Sequence, residues 1–188
     1  LIPNPGYPTY TSAVKLSGAT PVYYELKEEN NYEPNFDALE KVIAESNIKG
    51  WFVNYPHMPT GANGNKALFE KIVAFGKKHN ILIIHDNPYS FILNENPLSL
   101  LSVDGARDIV IELNSLSKSH NMAGWRIGTL CSSKEHIDNV LKFKSNMDSG
   151  MFLPLQLAAT KALTLDKDWH DGLNSIYAER RKKVFEIM

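Results

Sequence analysis

Ile81-Leu82-Ile83-Ile84 is the run that most limits what this chain can become. Four consecutive apolar residues leave a strand no face for water, so helices are expected to cover both sides. The neighbouring segments fit that demand. Val22 to Leu26 reads as a strand, and Asn35 caps a helix with Phe36, Leu39, Val42 and Ile43 along one face. Trp51-Phe52-Val53 is a short buried strand, Asn54 to Gly64 a Pro/Gly-rich loop, and Asn65 opens a helix burying Leu68, Phe69, Ile72, Val73 and Phe75. Strands then follow at Ile109 to Leu113 and at about Ile127 to Cys131. The interval between these two holds no crossover helix, which favours antiparallel pairing. Helices are expected at about 134–143, 153–165 and 168–187, the last with Trp169, Leu173, Ile176, Tyr177, Val184 and Ile187 in phase. The fold class is α/β, a mostly parallel sheet with one antiparallel strand and helices on both faces.

Without repeats or linkers, the chain reads as one domain. At 188 residues it can bury roughly 70% of its unfolded surface. A net charge of −1 offers no basic field for nucleic acid or an anionic membrane. No apolar run approaches the roughly 20 residues of a membrane span. The lone cysteine, Cys131, excludes an internal disulfide and suits a reducing, cytoplasmic setting; packing within its strand is its expected role. Leu1-Ile2-Pro3-Asn4 reads as the tail of a strand, and Tyr177 to Met188 as a helix without a closing cap, so a piece incomplete at both ends is expected.

Polar residues collect after three of the strands: Asn54 to Gly61, Asp86 to Tyr89, and Asn114 to Lys118. Ligands of open parallel sheets bind outside the carboxyl ends of the strands, so all three clusters should face one crevice. In the third, Ser115-Leu116-Ser117-Lys118 precedes Gly124-Trp125-Arg126. Two hydroxyls and a guanidinium suit a phosphate dianion. A lysine among them, near apolar walls, suits imine formation with an aldehyde. Pyridoxal phosphate carries both groups. Lysine and arginine eight apart are otherwise two solvated charges, with the turn at Gly124 expected to fix Arg126.

Asp86 follows four apolar residues, where a carboxylate needs a partner; a pyridinium nitrogen would serve, and capping of the Asn87-Pro88 turn is the alternative. Tyr89 is placed to donate to a ring oxygen, or to pack. Alternation puts His85 on the opposite face, in the core or behind the site. Tyr7 lies in a rigid turn, Asn4-Pro5-Gly6-Tyr7-Pro8, where its ring either faces a ligand or covers the core.

Taken in order, Pro5-Gly6-Tyr7-Pro8, Pro59-Thr60-Gly61, Asp86-x-x-Tyr89 and Ser115-x-Ser117-Lys118 with Gly124-x-Arg126 resemble class I/II, fold-type I aminotransferases over about positions 1 to 131. The resemblance implies a pyridoxal-phosphate-binding large domain over 1–188, lacking an upstream segment and a C-terminal small domain. It also implies transfer of an amino group between an amino acid and a 2-oxo acid, and a homodimer in the full-length protein. Lys118 looks like the Schiff-base lysine and proton shuttle, Asp86 like the partner of the pyridine nitrogen, and Tyr89 like the donor to O3′. Ser115, Ser117 and Arg126 match phosphate-binding positions, and Tyr7 the aromatic stacked on the ring. A C–S lyase or decarboxylase on the same scaffold, or a non-catalytic cofactor-binding domain, are the competing readings. No Gly-x-x-x-x-Gly-Lys-Ser/Thr or Gly-x-Gly-x-x-Gly signature supports a nucleotide-binding module.

Two departures stand out. Met58 occupies the position before Pro-Thr-Gly where the family usually has an asparagine donating to O3′. Losing that bond costs about 1.5–3 kcal/mol and is expected to raise the aldimine pKa by roughly 1–2 units, unless His57 or a water replaces the donor. The residues completing the family's phosphate turn and gripping the substrate carboxylate lie outside these 188 residues. Weak or no turnover by this piece alone is therefore expected.

Overall fold

The computed structural model describes residues 1–188, and its layers follow from where apolar runs and caps fall. Two strands, β1 (Ile2–Asn4) and β2 (Tyr23–Glu25), pair in parallel. Four more, β3 (Gly50–Asn54), β4 (Leu82–Asp86), β5 (Val110–Ser115) and β6 (Gly128–Cys131), form a sheet in the order β3-β4-β5-β6. The first three are parallel and β6 is antiparallel to β5, as the short interval demands. A bond from the Phe52 amide to the Leu1 carbonyl (3.0 Å) joins the two sheets.

The helices are α1 (Pro8–Leu16), α2 (Phe36–Glu45), α3 (Lys66–His79), α4 (Leu116–Ser119), α5 (Lys134–Met147), α6 (Leu153–Ala162) and α7 (Lys167–Ile187). Asn35 and Asn65 cap α2 and α3, their side-chain oxygens accepting from the Ala38 and Leu68 amides at 3.0 and 2.8 Å. Leu39, Trp51, Ile72 and Ile83 are almost wholly buried where α2 and α3 pack on the sheet. No helix is long and apolar enough to cross a membrane.

Two expectations need correction, and two helices add to the expected pattern. Helix α1 is absent from the sequence reading, because Pro-Thr-Tyr-Thr is a poor helical opening except that proline suits the first position. The β5–β6 interval holds no crossover helix, as expected; it contains the single-turn α4, which the pattern does not mark. Leu82 and Ile84 are only half-buried, so one face of the apolar strand is less covered than its composition implies. Cys131 is exposed on the edge strand rather than packed, because β6 has no neighbour beyond it.

Beneath α4 lies a second, smaller core. Leu116, Met122, Ile127 and Ala162 are buried together, with Leu155, Ala158 and Ala159 against them. This contact ties the segment from Ser115 to Ile127 to α6, and so fixes where Lys118 stands.

Candidate active site

The carboxyl ends of β3, β4 and β5 open onto one cavity of about 320 Å³, lined by all seven residues singled out above: Tyr7, Asp86, Tyr89, Ser115, Ser117, Lys118 and Arg126. Tyr10, Asn54, Met58, Pro88 and Ala123 complete the wall. The register accounts for the convergence. Asn54 pairs with Asp86 and Asp86 with Leu113, so the three polar clusters begin at the same height.

Asp86 is held from two sides. Its Oδ2 accepts a 2.6 Å bond from the Tyr10 hydroxyl, and its backbone carbonyl accepts one from Asn54 Nδ2 at 2.7 Å. Oδ1 has no partner in the chain, and the side chain does not cap the following turn. Burial pushes the Asp86 carboxyl above the usual range, opposed by the Tyr10 bond and by charge on His85. Burial likewise raises the Tyr10 hydroxyl, helped by the Asp86 charge, so it stays a donor. Tyr89 is raised by burial, then by Asp86 and Tyr7. Tyr10→Phe removes a bond to a charged group worth about 1.5–3 kcal/mol. It should therefore move the Asp86 midpoint up by roughly 1–2 pH units. Carbon-13 NMR of the carboxyl checks this, and an unmoved midpoint would refute it.

Tyr10 is the residue that sequence reasoning missed. It sits 76 positions from Asp86, a separation that no local pattern reveals. One signal was available: with Pro8 opening a helix, Tyr7 and Tyr10 fall three apart on the same side. Their rings meet edge-on at 5.7 Å, and Tyr10 stacks on Phe52 at 4.8 Å. Tyr7 itself is 45% exposed. Gly6 is needed for this turn, because a Cβ there would lie 2.4 Å from the Pro3 carbonyl oxygen.

Ser115 caps α4, its hydroxyl accepting from the Ser117 amide at 3.1 Å. The Ser117 hydroxyl has no partner within the chain. Lys118 is exposed and makes no hydrogen bond or ion pair, which corrects the expectation of apolar walls around it. It is the last turn of a four-residue helix at the cavity's mouth, so only one side of it meets protein. Arg126 is also exposed; its Nη1 donates to the Ala123 carbonyl at 2.7 Å. The turn is made by Arg126's own left-handed backbone (φ 54°), not by Gly124, where a Cβ would meet nothing within 4 Å. Gly128 is the glycine this region needs: a Cβ there would lie 2.7 Å from the Asn114 carbonyl oxygen, blocking the approach of β6 to β5.

Met58 lines the cavity, while His57 does not. The His57 ring is buried, with Nδ1 against the Thr60 hydroxyl at 2.7 Å, so it does not stand in for a donor at position 58. Burial lowers the His57 pKa, against a backbone interaction with Pro5. Asn54 is equally committed, donating to Asp86 and accepting from the Met58 amide at 2.8 Å.

A family model described as aminotransferase class I and II matches residues 1–188. The chain belongs to the class I and II aminotransferases. Among relatives in that family, the LL-diaminopimelate aminotransferases of Dehalococcoides mccartyi and Aquifex aeolicus are each 40% identical over 190 residues, covering 100% of this chain and 49% of their own length. Substrate-bound BacF from Bacillus subtilis superposes with a TM-score of 0.90 at 39% identity, over 95% of this chain and 46% of that one. A probable N-succinyldiaminopimelate aminotransferase from Thermus thermophilus gives 0.86 at 32% identity, over 93% and 47%. This aminotransferase chain thus spans about half the length of the relatives it matches, and its mostly parallel α/β sheet is theirs.

Proposed function

We propose that this chain is the cofactor-binding part of a pyridoxal-phosphate-dependent aminotransferase that moves an amino group between an amino acid and a 2-oxo acid. The observation that carries the proposal is the single cavity joining Asp86, Lys118 and Arg126. Its donor set fits the cofactor. One carboxylate oxygen is occupied by Tyr10 and the other is without a partner, leaving it for a protonated ring nitrogen. The hydroxyls of Ser115 and Ser117 with the Arg126 guanidinium suit the phosphate. The volume, about 320 Å³, lies within the roughly 300–1,000 Å³ of small-molecule sites.

When bound, pyridoxal phosphate supplies an aldehyde and an electron-withdrawing ring that weaken the Cα–H bond of an amino acid. The chain's own residues do the rest. Asp86 keeps a proton on the ring nitrogen by offering it a negative oxygen. Tyr7 presents an exposed ring at the cavity wall, and Tyr89 a hydroxyl that burial keeps protonated. Lys118 Nζ, free of any partner, is the cavity's one amine and would carry the proton leaving the substrate Cα. Diaminopimelate, named in the relatives, is the first amino acid to test. A homodimer and a cytoplasmic setting belong to the same proposal, supported by the exposed Leu141, Phe143, Leu157 and Phe185 and by the unpaired Cys131.

Borohydride reduction in the presence of pyridoxal phosphate, followed by peptide mapping, tests this reading. A label on Lys118 is expected; a label spread over surface lysines would overturn it. A second test concerns Met58. Met58→Asn adds a donor toward the ring and should tighten cofactor binding about tenfold or more, while moving the midpoint of its absorbance titration to lower pH. Unchanged affinity and midpoint would show that position 58 does not face the ring.

A further inference from the structure

Behind Asp86, on the other face of β4, His85 and Glu112 form a buried pair that the proposed chemistry does not use. His85 is fully buried and Glu112 is 4% exposed. His85 Nδ1 lies 2.9 Å from Glu112 Oε2, and Nε2 lies 3.2 Å from the Tyr55 carbonyl oxygen. A carbonyl only accepts, so Nε2 must carry a hydrogen. The protonation of Nδ1 is then decided by the other neighbours of Glu112. Oε2 also faces the Leu100 amide at 2.8 Å and the Ser99 hydroxyl at 3.0 Å, and Oε1 faces Asn114 Nδ2 at 3.3 Å. With His85, these make four donors, matching the roughly four lone-pair sites of an ionised carboxylate. A protonated Glu112 would have to donate through an oxygen already crowded by donors. The arrangement therefore requires a carboxylate and, beside it, an imidazolium.

We propose that His85 and Glu112 are a buried imidazolium–carboxylate pair whose positive end keeps Asp86 ionised from behind the sheet. The proposal rests on the reading of Asp86 as the partner of the ring nitrogen. His85 is next to Asp86 in the chain, whereas Glu112 lies across the strand pair, opposite His85. The nearer charge dominates, and charge on His85 favours the Asp86 carboxylate. The other groups around the pair carry no charge: the Phe69 ring from α3 stands edge-on to His85 at 5.3 Å, and the loop just after β3 contributes the Tyr55 carbonyl. Around Asp86 itself stand Tyr10 from α1, Tyr89, and the cations Lys118 and Arg126 across the cavity. His85 and Glu112 are positioning residues that act through Asp86.

The test turns on a sign. Removing the negative charge of Glu112 by Glu112→Gln would, by simple attraction and repulsion, make Asp86 more acidic. On this proposal the imidazolium loses its proton with the carboxylate, so the Asp86 midpoint moves up instead, by roughly one pH unit. Glu112→Asp, which keeps the charge, should move it less. Carbon-13 NMR of the Asp86 carboxyl, with Tyr10→Phe as a control for an upward shift, reads both. A downward shift or none overturns the proposal. Should Glu112→Gln not fold, nitrogen-15 NMR of the unsubstituted chain decides: both ring nitrogens of His85 are expected to carry a proton in the folded protein at neutral pH. An unprotonated Nδ1 in the folded protein overturns it. Both measurements are made without cofactor, so failed labelling of Lys118 would remove the function while leaving the pair standing, and the reverse.

Discussion

Replacing Lys118 with alanine is expected to leave the fold unchanged and to reduce borohydride-fixed pyridoxal phosphate to background. The two halves of that expectation have separate grounds. Lys118 is exposed and has no hydrogen bond or ion pair, so its loss should change stability by no more than about 0.5 kcal/mol. The cavity, however, contains no second amine. The neighbouring cation, Arg126, is not a nucleophile at any working pH. Lys118→Arg keeps the charge without the nucleophile and should fail equally, which separates covalency from attraction for phosphate. Where the chain supports exchange of a substrate Cα proton, the same change should slow it by about 10²–10⁴-fold. Thermal melting with fixed-cofactor counting checks both halves. Retained labelling in Lys118→Ala would remove the central residue of the proposed function.

The contrast between Lys118 and Asp86 shows what was legible in the sequence. Asp86 ends an apolar strand, and an expensive carboxylate in that place announces a partner; the partner in the chain is Tyr10, far away in sequence. Local rules read Asn35 and Asn65 as caps, and the strands as β3 to β6, because capping and alternation act within a few residues. The same rules placed three polar clusters at one sheet end. They have no access to the Tyr10–Asp86 bond or to the donors around Glu112, which arise only when strands align in register. Nor does periodicity say what covers an apolar face. Helices α5 and α7 repeat apolar residues in phase, yet neither buries a residue; Phe143 is 70% exposed and Phe185 is 69%. Pattern specifies which side of a helix needs cover, and the covering surface has to come from elsewhere.

Trp51 is where fold and site depend most on one side chain. It is wholly buried in β3, with the rings of Tyr24, Phe36 and Phe75 at 6.0, 6.3 and 5.6 Å. Trp51→Ala should cost about 3–5 kcal/mol, a large share of the roughly 5–15 kcal/mol that holds a domain folded. The loss is expected to reach the site, because β3 also carries Asn54, whose amide clamps the Asp86 carbonyl. Yet the indole is not a perfect fit: its Nε1 is buried without an acceptor. Trp51→Phe gives up part of the ring but spares that unpaired donor, so about 1–2 kcal/mol is expected for it. Urea unfolding of the three chains should therefore order their midpoints with Trp51→Phe close to the parent and Trp51→Ala far below. Lys118 labelling should follow the folded fraction in each. Equal midpoints for phenylalanine and alanine would mean that the aromatic cluster between α2, α3 and the sheet does not hold the floor of the cavity.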